Sequence, residues 1–521
     1  MLQVGYILTV NSHNYPDRYA VIDKRRSLSY AELNNKCNVL ANALMKRGVT
    51  KGMKVGLLMK NSVDWIISWY ATQKIGAVLV PLHERLDAND LAWIIRISEC
   101  KVLVFDSVYD NKAAEIRSLC PQILVSVRRG SDGDPSCISW DGLFADPDET
   151  EPEVTIFDDD PSLILFTSGT TGAPKGVMRT QKMVALHAMV MAMGADNTRT
   201  GEVMLTTAKL YHAGGIVCVL KMLMMAGTLI LPERADPVET IRMIEKNHVT
   251  QLMMLPPIIY ERLYNDKEWQ NHDLGSVREV CVSAGRCTVE TAEHLFAIFP
   301  NCRLRPSWGS TETCSVTGML LSKEELSADP SMINTVGRVN ALTKIRIVDK
   351  NNRDVREGEV GEALVSSPLV FSGYLKEKKN HPDYMLDQIW FKTGDLIKKD
   401  PLNNCYYFID RAKDIIKTGG ENVAAMEIER IILNNPAVAD CAVVGIPDSR
   451  FGEGIAAALV LKPGCKLNSE EFKAFCKDSM PGYKKPRYLA FVKKLPQNSV
   501  GKIKKDILRE DWKMFKPLYT I

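Results

Sequence analysis

The sequence has no Cys-x-x-Cys and no Cys-x-Cys spacing, although it contains 13 cysteines, and the nearest two are Cys281 and Cys287. A zinc knuckle or a disulfide framework is therefore not expected. Scattered thiols of this kind read as small buried hydrophobes in a reducing compartment. Net charge is also nearly absent, at +3 over 521 residues. That excludes a global basic field and with it nucleic acid as the default partner, so any anion site must be local. No long apolar run is present: the greasiest stretch, from Ile216 to Leu231, is interrupted by Lys221 and falls short of the roughly 20 residues a membrane span needs. The first residues lack the basic start, apolar centre and small-residue cleavage site of a secretory signal. No membrane span is expected, and the expected compartment is the cytoplasm. Internal repeats and low-complexity tracts are absent as well.

What remains has the composition of a globular protein, 45% hydrophobic and 25% charged, in a chain too long for one core. Ser29 and Glu32 form a capping-box signature ahead of Leu33, Cys37, Leu40, Ala41 and Leu44, which share one helical face, with Gly48 as a stop. An apolar run from Val55 to Met59, a second capped helical pattern from Ser62 to Lys74, and another apolar run from Ala77 to Leu82 follow. This alternation predicts an α/β fold with mainly parallel, helix-covered sheets.

Residues 145–161 are acidic and proline-punctuated and read as a solvated surface connection. After Asp414 the pattern changes to a small α+β domain. It has helices near Ala424 to Leu433 and Ser469 to Cys476, strands near Val438 to Ile446 and Ile455 to Leu461, and a strand before Pro496. Lys plus Arg outnumber Asp plus Glu by 19 to 13 from Lys413 onward, against 47 to 50 before it, so the small domain is the basic one.

The chemistry is concentrated in ten residues. A buried-strand pattern, Ser162 to Phe166, runs into Thr167-Ser168-Gly169-Thr170-Thr171-Gly172-Ala173-Pro174-Lys175-Gly176. Hydroxyls and glycines can turn several O–H and N–H donors toward one anion, and Lys175 adds a full charge, so a polyphosphate is the expected ligand. The loop is not a Walker loop, because Lys175 follows Pro174 and not Gly. Gly452-x-Gly454-x-x-Ala457 matches a dinucleotide fingerprint in spacing, but it enters a strand and not a helix, and is discarded.

Five further segments occur downstream in a fixed order. They are Trp308-Gly309-Ser310-Thr311-Glu312; Gly358-Glu359-Val360-Gly361-Glu362; Thr393-Gly394-Asp395; Asp410-Arg411-Ala412-Lys413-Asp414 with Ile416 to Asn422; and Pro496 to Lys502. Together with the Thr167 loop they resemble the adenylate-forming superfamily of acyl-CoA synthetases, firefly-type luciferases and nonribosomal peptide adenylation domains. The resemblance implies a large N-terminal domain, 1–412, holding ATP and the acyl group. It also implies a small mobile domain, 413–521, turning about a hinge at Lys413.

By the same resemblance, Thr167, Ser168, Gly169, Thr170, Thr171, Gly172 and Lys175 hold the β- and γ-phosphates. Thr311 lies near the α-phosphate, and Glu312 helps to hold Mg²⁺. Asp395 and Arg411 bind the ribose, while Trp308, Gly309 and Ser310 with Ser283, Ala284 and Gly285 flank the adenine. Trp308 stands where relatives more often have Tyr, and Ala284 and Arg286 depart from the usual Ser-Gly-Gly-Ala run. His212, with Gly214 and Gly215, marks the carboxylate end of the acyl pocket. Met183, Met189, Met222, Met224, Met225, Met253 and Met254 fall in the segment that forms that pocket in relatives, although methionine in a helix is more often core packing. Lys502 is the implied catalytic cation for adenylation, and Gly419 and Gly420 let the CoA arm pass. By itself a Gly-Gly pair is a turn, a Thr-Glu pair a helix cap, a lone His a core residue, and Lys502 beside Lys504 and Lys505 a solvated charge.

The expected activity is an ATP- and Mg²⁺-dependent carboxylic acid:CoA ligase working through acyl-AMP, on a medium or long apolar acid. A carrier-protein thiol in place of free CoA, or a non-catalytic nucleotide-binding module, stays open. Aryl, bile or carnitine-type acids fit the same motifs.

Overall fold

The computed structural model describes residues 2–130, 133–167, 174–193, 201–254, 258–283, 285, 287–377, 383–497 and 503–519. The chain packs as two compact units, Met1–Lys344 with Val365–Phe391, and Ile345–Leu364 with Lys392–Ile521.

The first unit contains two seven-stranded sheets. One runs Ile138–Ser139, Val125–Arg129, Val102–Asp106, Lys54–Leu58, Val78–Pro81, Pro161–Thr167, Lys175–Thr180. It is parallel apart from its last pair, an antiparallel hairpin. The other runs Arg303–Arg305, Glu279–Cys281, Gln251–Met253, Val203–Thr206, Thr228–Leu231, Tyr19–Asp23, Ser27–Ser29, and only the terminal Tyr19–Asp23 and Ser27–Ser29 pair is antiparallel. Helices lie between them. Tyr30–Met45, Val63–Lys74 and Ala213–Met224 share one core with Val55, Leu57, Leu79 and Val102 of the first sheet and Met204, Leu229 and Leu231 of the second.

Local signals explain the elements. The Ser29–Glu32 capping box forms in both directions, and Leu33, Cys37, Leu40, Ala41 and Leu44 are all buried. Ser62 caps Val63–Lys74 by accepting from Trp65 N, and every residue of that helix is buried, which suits a helix enclosed between two sheets. The Ile216 to Leu231 run divides into the end of helix Ala213–Met224 and strand Thr228–Leu231. Lys221, which seemed to interrupt it, is buried against Glu279 at 3.2 Å. Among the described residues no helix is long and apolar enough to cross a membrane.

Residues 145–161 lie mostly at the surface, as read from the sequence, but they are tied down. The acidic segment before Pro161 is not simply solvated: Asn34, Asn38 and Asn42, one helical turn apart, donate to Glu151 Oε1, Glu149 O, and the carbonyls of Asp148 and Thr150. Lys74 Nζ reaches Glu151 Oε2 at 2.6 Å. An asparagine stripe satisfies carbonyls of an irregular segment that makes no ladder among the described residues.

In the second unit, Asp395–Lys399 pairs antiparallel with strand Tyr406–Arg411. A further sheet runs Glu421–Ala424, Ile415–Thr418, Gly452–Leu461, Tyr488–Phe491, Lys516–Pro517, with Val438–Asp448 on Gly452–Leu461. Helices Ala425–Ile432 and Ser469–Ser479 bury Ile428, Ile432, Phe472 and Cys476 against Val443, Ile455, Leu459 and Leu489. This is the α+β pattern read from the sequence. Every cysteine except Cys137 and Cys465 is buried, and burial pushes the Cys37, Cys100 and Cys218 thiols up to about 12. They behave as apolar side chains.

Candidate active site

Two hairpins of the first unit present the phosphate-type residues. In the first, Thr167 and Lys175 are ladder partners. Ser168, Gly169, Thr170, Thr171 and Gly172 lie outside the described residues. In the second, Ser307–Ser310 pairs with Cys314–Gly318 around a turn at Thr311, Glu312 and Thr313. The Ser310 hydroxyl accepts from Glu312 N and Thr313 N, both at 3.2 Å, and Thr313 Oγ1 accepts from Ser310 N at 3.0 Å. A side-chain cap thus fixes a turn that the ladder cannot. Gly309 is required there, because a Cβ would lie 1.8 Å from the Cys314 carbonyl oxygen.

Three contacts join the hairpins. Arg179, buried in strand Lys175–Thr180, donates to the Thr311 carbonyl and to Cys314 Sγ. Segment 372–375 pairs with 176–178, through Leu375 N to Gly176 O at 2.8 Å and Met178 N to Gly373 O at 3.2 Å. That pairing sets Tyr374 between the two hairpins: its hydroxyl donates to Glu312 Oε1 at 2.9 Å, and Lys175 Nζ sits 4.8 Å from its ring centroid. Burial, followed by the Glu312 carboxylate, raises the Tyr374 phenol above its ordinary range, so it remains a donor. Thr167, Lys175, Thr311 and Glu312 are thereby brought together. No spacing in the sequence marked Tyr374 or Arg179.

Ser283 hydrogen-bonds Ser307 Oγ at 2.6 Å, next to buried Trp308, so the 283 and 307–310 segments adjoin; Gly285 is exposed, and Ala284 and Arg286 lie outside the described residues. His212 precedes helix Ala213–Met224, whose first turn contains Gly214 and Gly215. Its ring is 4.6 Å from Tyr211 and 5.4 Å from His83. Burial, then His83 and Lys209, pulls it down to about 4, so His212 is neutral near pH 7. Met222, Met225 and Met254 are core residues, while Met189 is exposed.

In the second unit Asp395 stands opposite Arg411 in the ladder, its Oδ1 2.7 Å from Arg411 Nε. Thr393 Oγ1 accepts from Asp395 N at 3.1 Å and donates to Ala363 O at 2.8 Å. Asp395 is buried while Arg411 is one-third exposed. Lys413 is exposed in the short turn Ala412–Asp414. Gly419 and Gly420 form the two-residue turn of the Ile415–Thr418 and Glu421–Ala424 hairpin, with φ of +59° and +86°; left-handed values at both positions favour glycine. Lys502 lies outside the described residues, but Gln497 pairs with Ile503 and Lys504 N donates to Pro496 O at 2.8 Å. Among the described residues no group of three or more metal-ligating side chains occurs. Glu312 alone still suits magnesium, which takes one or two protein carboxylates and fills its other positions with water and substrate phosphate.

The AMP-binding enzyme family matches residues 8–375, and the C-terminal domain of AMP-binding enzymes matches residues 427–502. A feruloyl-CoA synthase of Amycolatopsis sp. is 30% identical over 496 residues, covering 95% of this chain and 96% of its own. The long-chain-fatty-acid–CoA ligase FadD13 of Mycobacterium tuberculosis is 29% identical over 523 residues, covering 98% and 99%. ATP-bound MatB from Rhodopseudomonas palustris has the same fold, with a TM-score of 0.88 at 26% identity over 98% of this chain and 99% of that one. The chain belongs to the AMP-binding enzyme family of the adenylate-forming superfamily. It is an AMP-forming acid–thiol ligase, of a family that joins carboxylic acids to CoA with ATP.

Proposed function

We propose that the chain activates a medium or long apolar carboxylic acid as acyl-AMP and transfers the acyl group to CoA. The observation that carries this reading is the Lys175, Tyr374 and Glu312 arrangement: one phenol orders a cation and a carboxylate on two hairpins. In the first step a carboxylate oxygen attacks the α-phosphorus, the bond to the β-phosphate oxygen breaks, and pyrophosphate leaves. Charge accumulates on phosphoryl oxygens, where donors and cations fixed in advance lower the barrier.

Thr167 to Lys175 hold the outer phosphates, and Thr311 donates near the α-phosphate. Glu312 holds magnesium, which neutralises phosphate charge when bound. Asp395 accepts from the ribose hydroxyls with Arg411 beside it, and Trp308 with Ser283 to Gly285 flanks the adenine. Lys502 bridges the substrate carboxylate and the α-phosphate. His212, with Gly214 and Gly215, closes the carboxylate end of the acyl pocket, and its neutral ring adds no competing charge. In the second step the CoA thiolate attacks the acyl carbonyl and the bond to AMP breaks. We place the functional boundary between 1–412 and 413–521. Lys413 is the hinge, since its own exposed side chain leaves no packed core when φ and ψ change in the turn. Gly419 and Gly420 admit the pantetheine arm.

The likeness to a long-chain-fatty-acid ligase supports an apolar acid, and the likeness to a feruloyl-CoA synthase makes aryl acids the competing class. The test is a panel of alkyl and aryl acids, scored by pyrophosphate and AMP release with free CoA or a phosphopantetheinylated carrier protein. Alkyl acids with free CoA should turn over fastest. Turnover confined to aryl acids, or to the carrier protein, would overturn the substrate assignment. ADP and orthophosphate as the only products would overturn the reaction.

A further inference from the structure

Lys505 looks in the sequence like one more solvated lysine after Lys502. It is instead largely buried, with Nζ 2.8 Å from Glu429 Oε1, the two side chains retaining 13% and 10% of their exposure. Glu429 is fixed in turn, because its Oε1 accepts from Val443 N at 2.8 Å in the long strand Val438–Asp448. One turn further along helix Lys505–Glu510, Arg509 Nη2 reaches Asp414 Oδ1 at 2.6 Å. Asp414 closes the short turn that contains Lys413. Two i, i+4 cations on one helix face are therefore bound to two carboxylates of the same compact unit.

On the N-terminal side of this helix, Gln497 pairs with Ile503 and Lys504 N donates to Pro496 O. The ends of the segment that contains Lys502 are thus joined, and the joint continues directly into Lys505. A buried ion pair is a costly way to gain stability, since desolvation offsets most of its attraction. A directional anchor at one point of the chain is what it supplies.

We infer that Lys505 and Arg509 are positioning residues for adenylation: their ion pairs with Glu429 and Asp414 fix Ile503 and Lys504, and so the point from which the chain carries Lys502. This rests on the proposed role of Lys502. A misplacement of about 1 Å at a charge-stabilising group costs roughly 10²-fold in rate. In the proposed scheme Lys502 acts only in the first half-reaction, so the Lys505–Glu429 pair should not bear on the second.

The test compares Lys505→Met, Lys505→Arg, Arg509→Met and the double variant Lys505→Met/Glu429→Met in the full-length enzyme. Two rates are measured: acid-dependent ATP–pyrophosphate exchange, and CoA-dependent release of AMP from supplied acyl-adenylate. Expected is a fall of about tenfold to 10²-fold in the exchange kcat for Lys505→Met and the double variant. Arg509→Met should show a smaller fall, and Lys505→Arg a largely restored rate. KM for ATP and the thioester step should be unchanged. The double variant removes both partners of the Lys505–Glu429 pair, leaving only buried Asp410 without the nearby Lys505 charge, and Arg509 is more exposed, so these decide the matter should Lys505→Met not fold. Wild-type exchange in the double variant, or an equal fall in both half-reactions, overturns the inference. Lys502→Ala separates the two levels: if it keeps full exchange, the role of Lys502 fails, whereas loss in Lys502→Ala with wild-type exchange in the double variant sinks only the positioning role.

Discussion

The Tyr374 hydroxyl donates to Glu312 Oε1 across 2.9 Å while the same ring underlies the Lys175 ammonium at 4.8 Å. One side chain therefore orients both partners of a charge-binding pair whose members lie 137 positions apart in the sequence. Tyr374→Phe keeps the ring face for Lys175 and removes only the bond to the carboxylate. Hydrogen bonds to charged groups contribute about 1.5–3 kcal/mol, so acid-dependent ATP–pyrophosphate exchange should drop by at least about tenfold. An unchanged rate would show that Glu312 needs no such support.

Asp395 is buried beside Arg411, and its proposed partner is the ribose. Wild-type enzyme should prefer ATP to 3′-deoxy-ATP, and Asp395→Asn should both raise KM for ATP and erase that preference. A preference that survives in the variant would place the ribose elsewhere.

Gly309 faces the Cys314 carbonyl at a distance that admits no side chain. Gly309→Ala must displace the Thr311 to Thr313 turn, and overpacking of this kind costs about 1–3 kcal/mol. Urea titration should show that loss, with exchange activity falling further than stability. A variant of native stability and activity would mean that the turn relaxes freely.

Buried histidines give the pH dependence its sign. Burial, then the nearby Arg179, lowers His187 from 6.5 to about 3, and its Nε2 has no hydrogen-bond partner among the described residues. The folded chain binds this proton less readily than the unfolded one, so the contribution is complete above about pH 6.5 and is lost as pH falls toward 3. His212 acts in the same direction down to about 4. Melting temperature should fall from pH 7 to pH 5, and His187→Phe should fall less. Equal falls would assign the acid sensitivity to other groups.

Much of this was legible in the sequence where causes are local. The Ser29 box, the Ser62 cap, the β-α-β alternation and the order of motifs depend on neighbours within a few positions, and each lies where it was read. Tyr374 was not legible, because its role comes from pairing 372–375 with 176–178, nearly two hundred positions away. The burial of Lys505 was not legible for the same reason: charge alone suggests exposure, and only the distant Glu429 reveals burial. Position in the chain predicts the chemistry of a motif better than the surroundings of an isolated ion.

The asparagine stripe has its own consequence. Because Asn38 and Asn42 grip successive carbonyls from 148 to 150, and Lys74, Thr9 and Asn34 all converge on Glu151, the acidic stretch works as a suture and not as a tether. A single protease cut nearby would leave both fragments stitched together, still migrating as one particle until denatured.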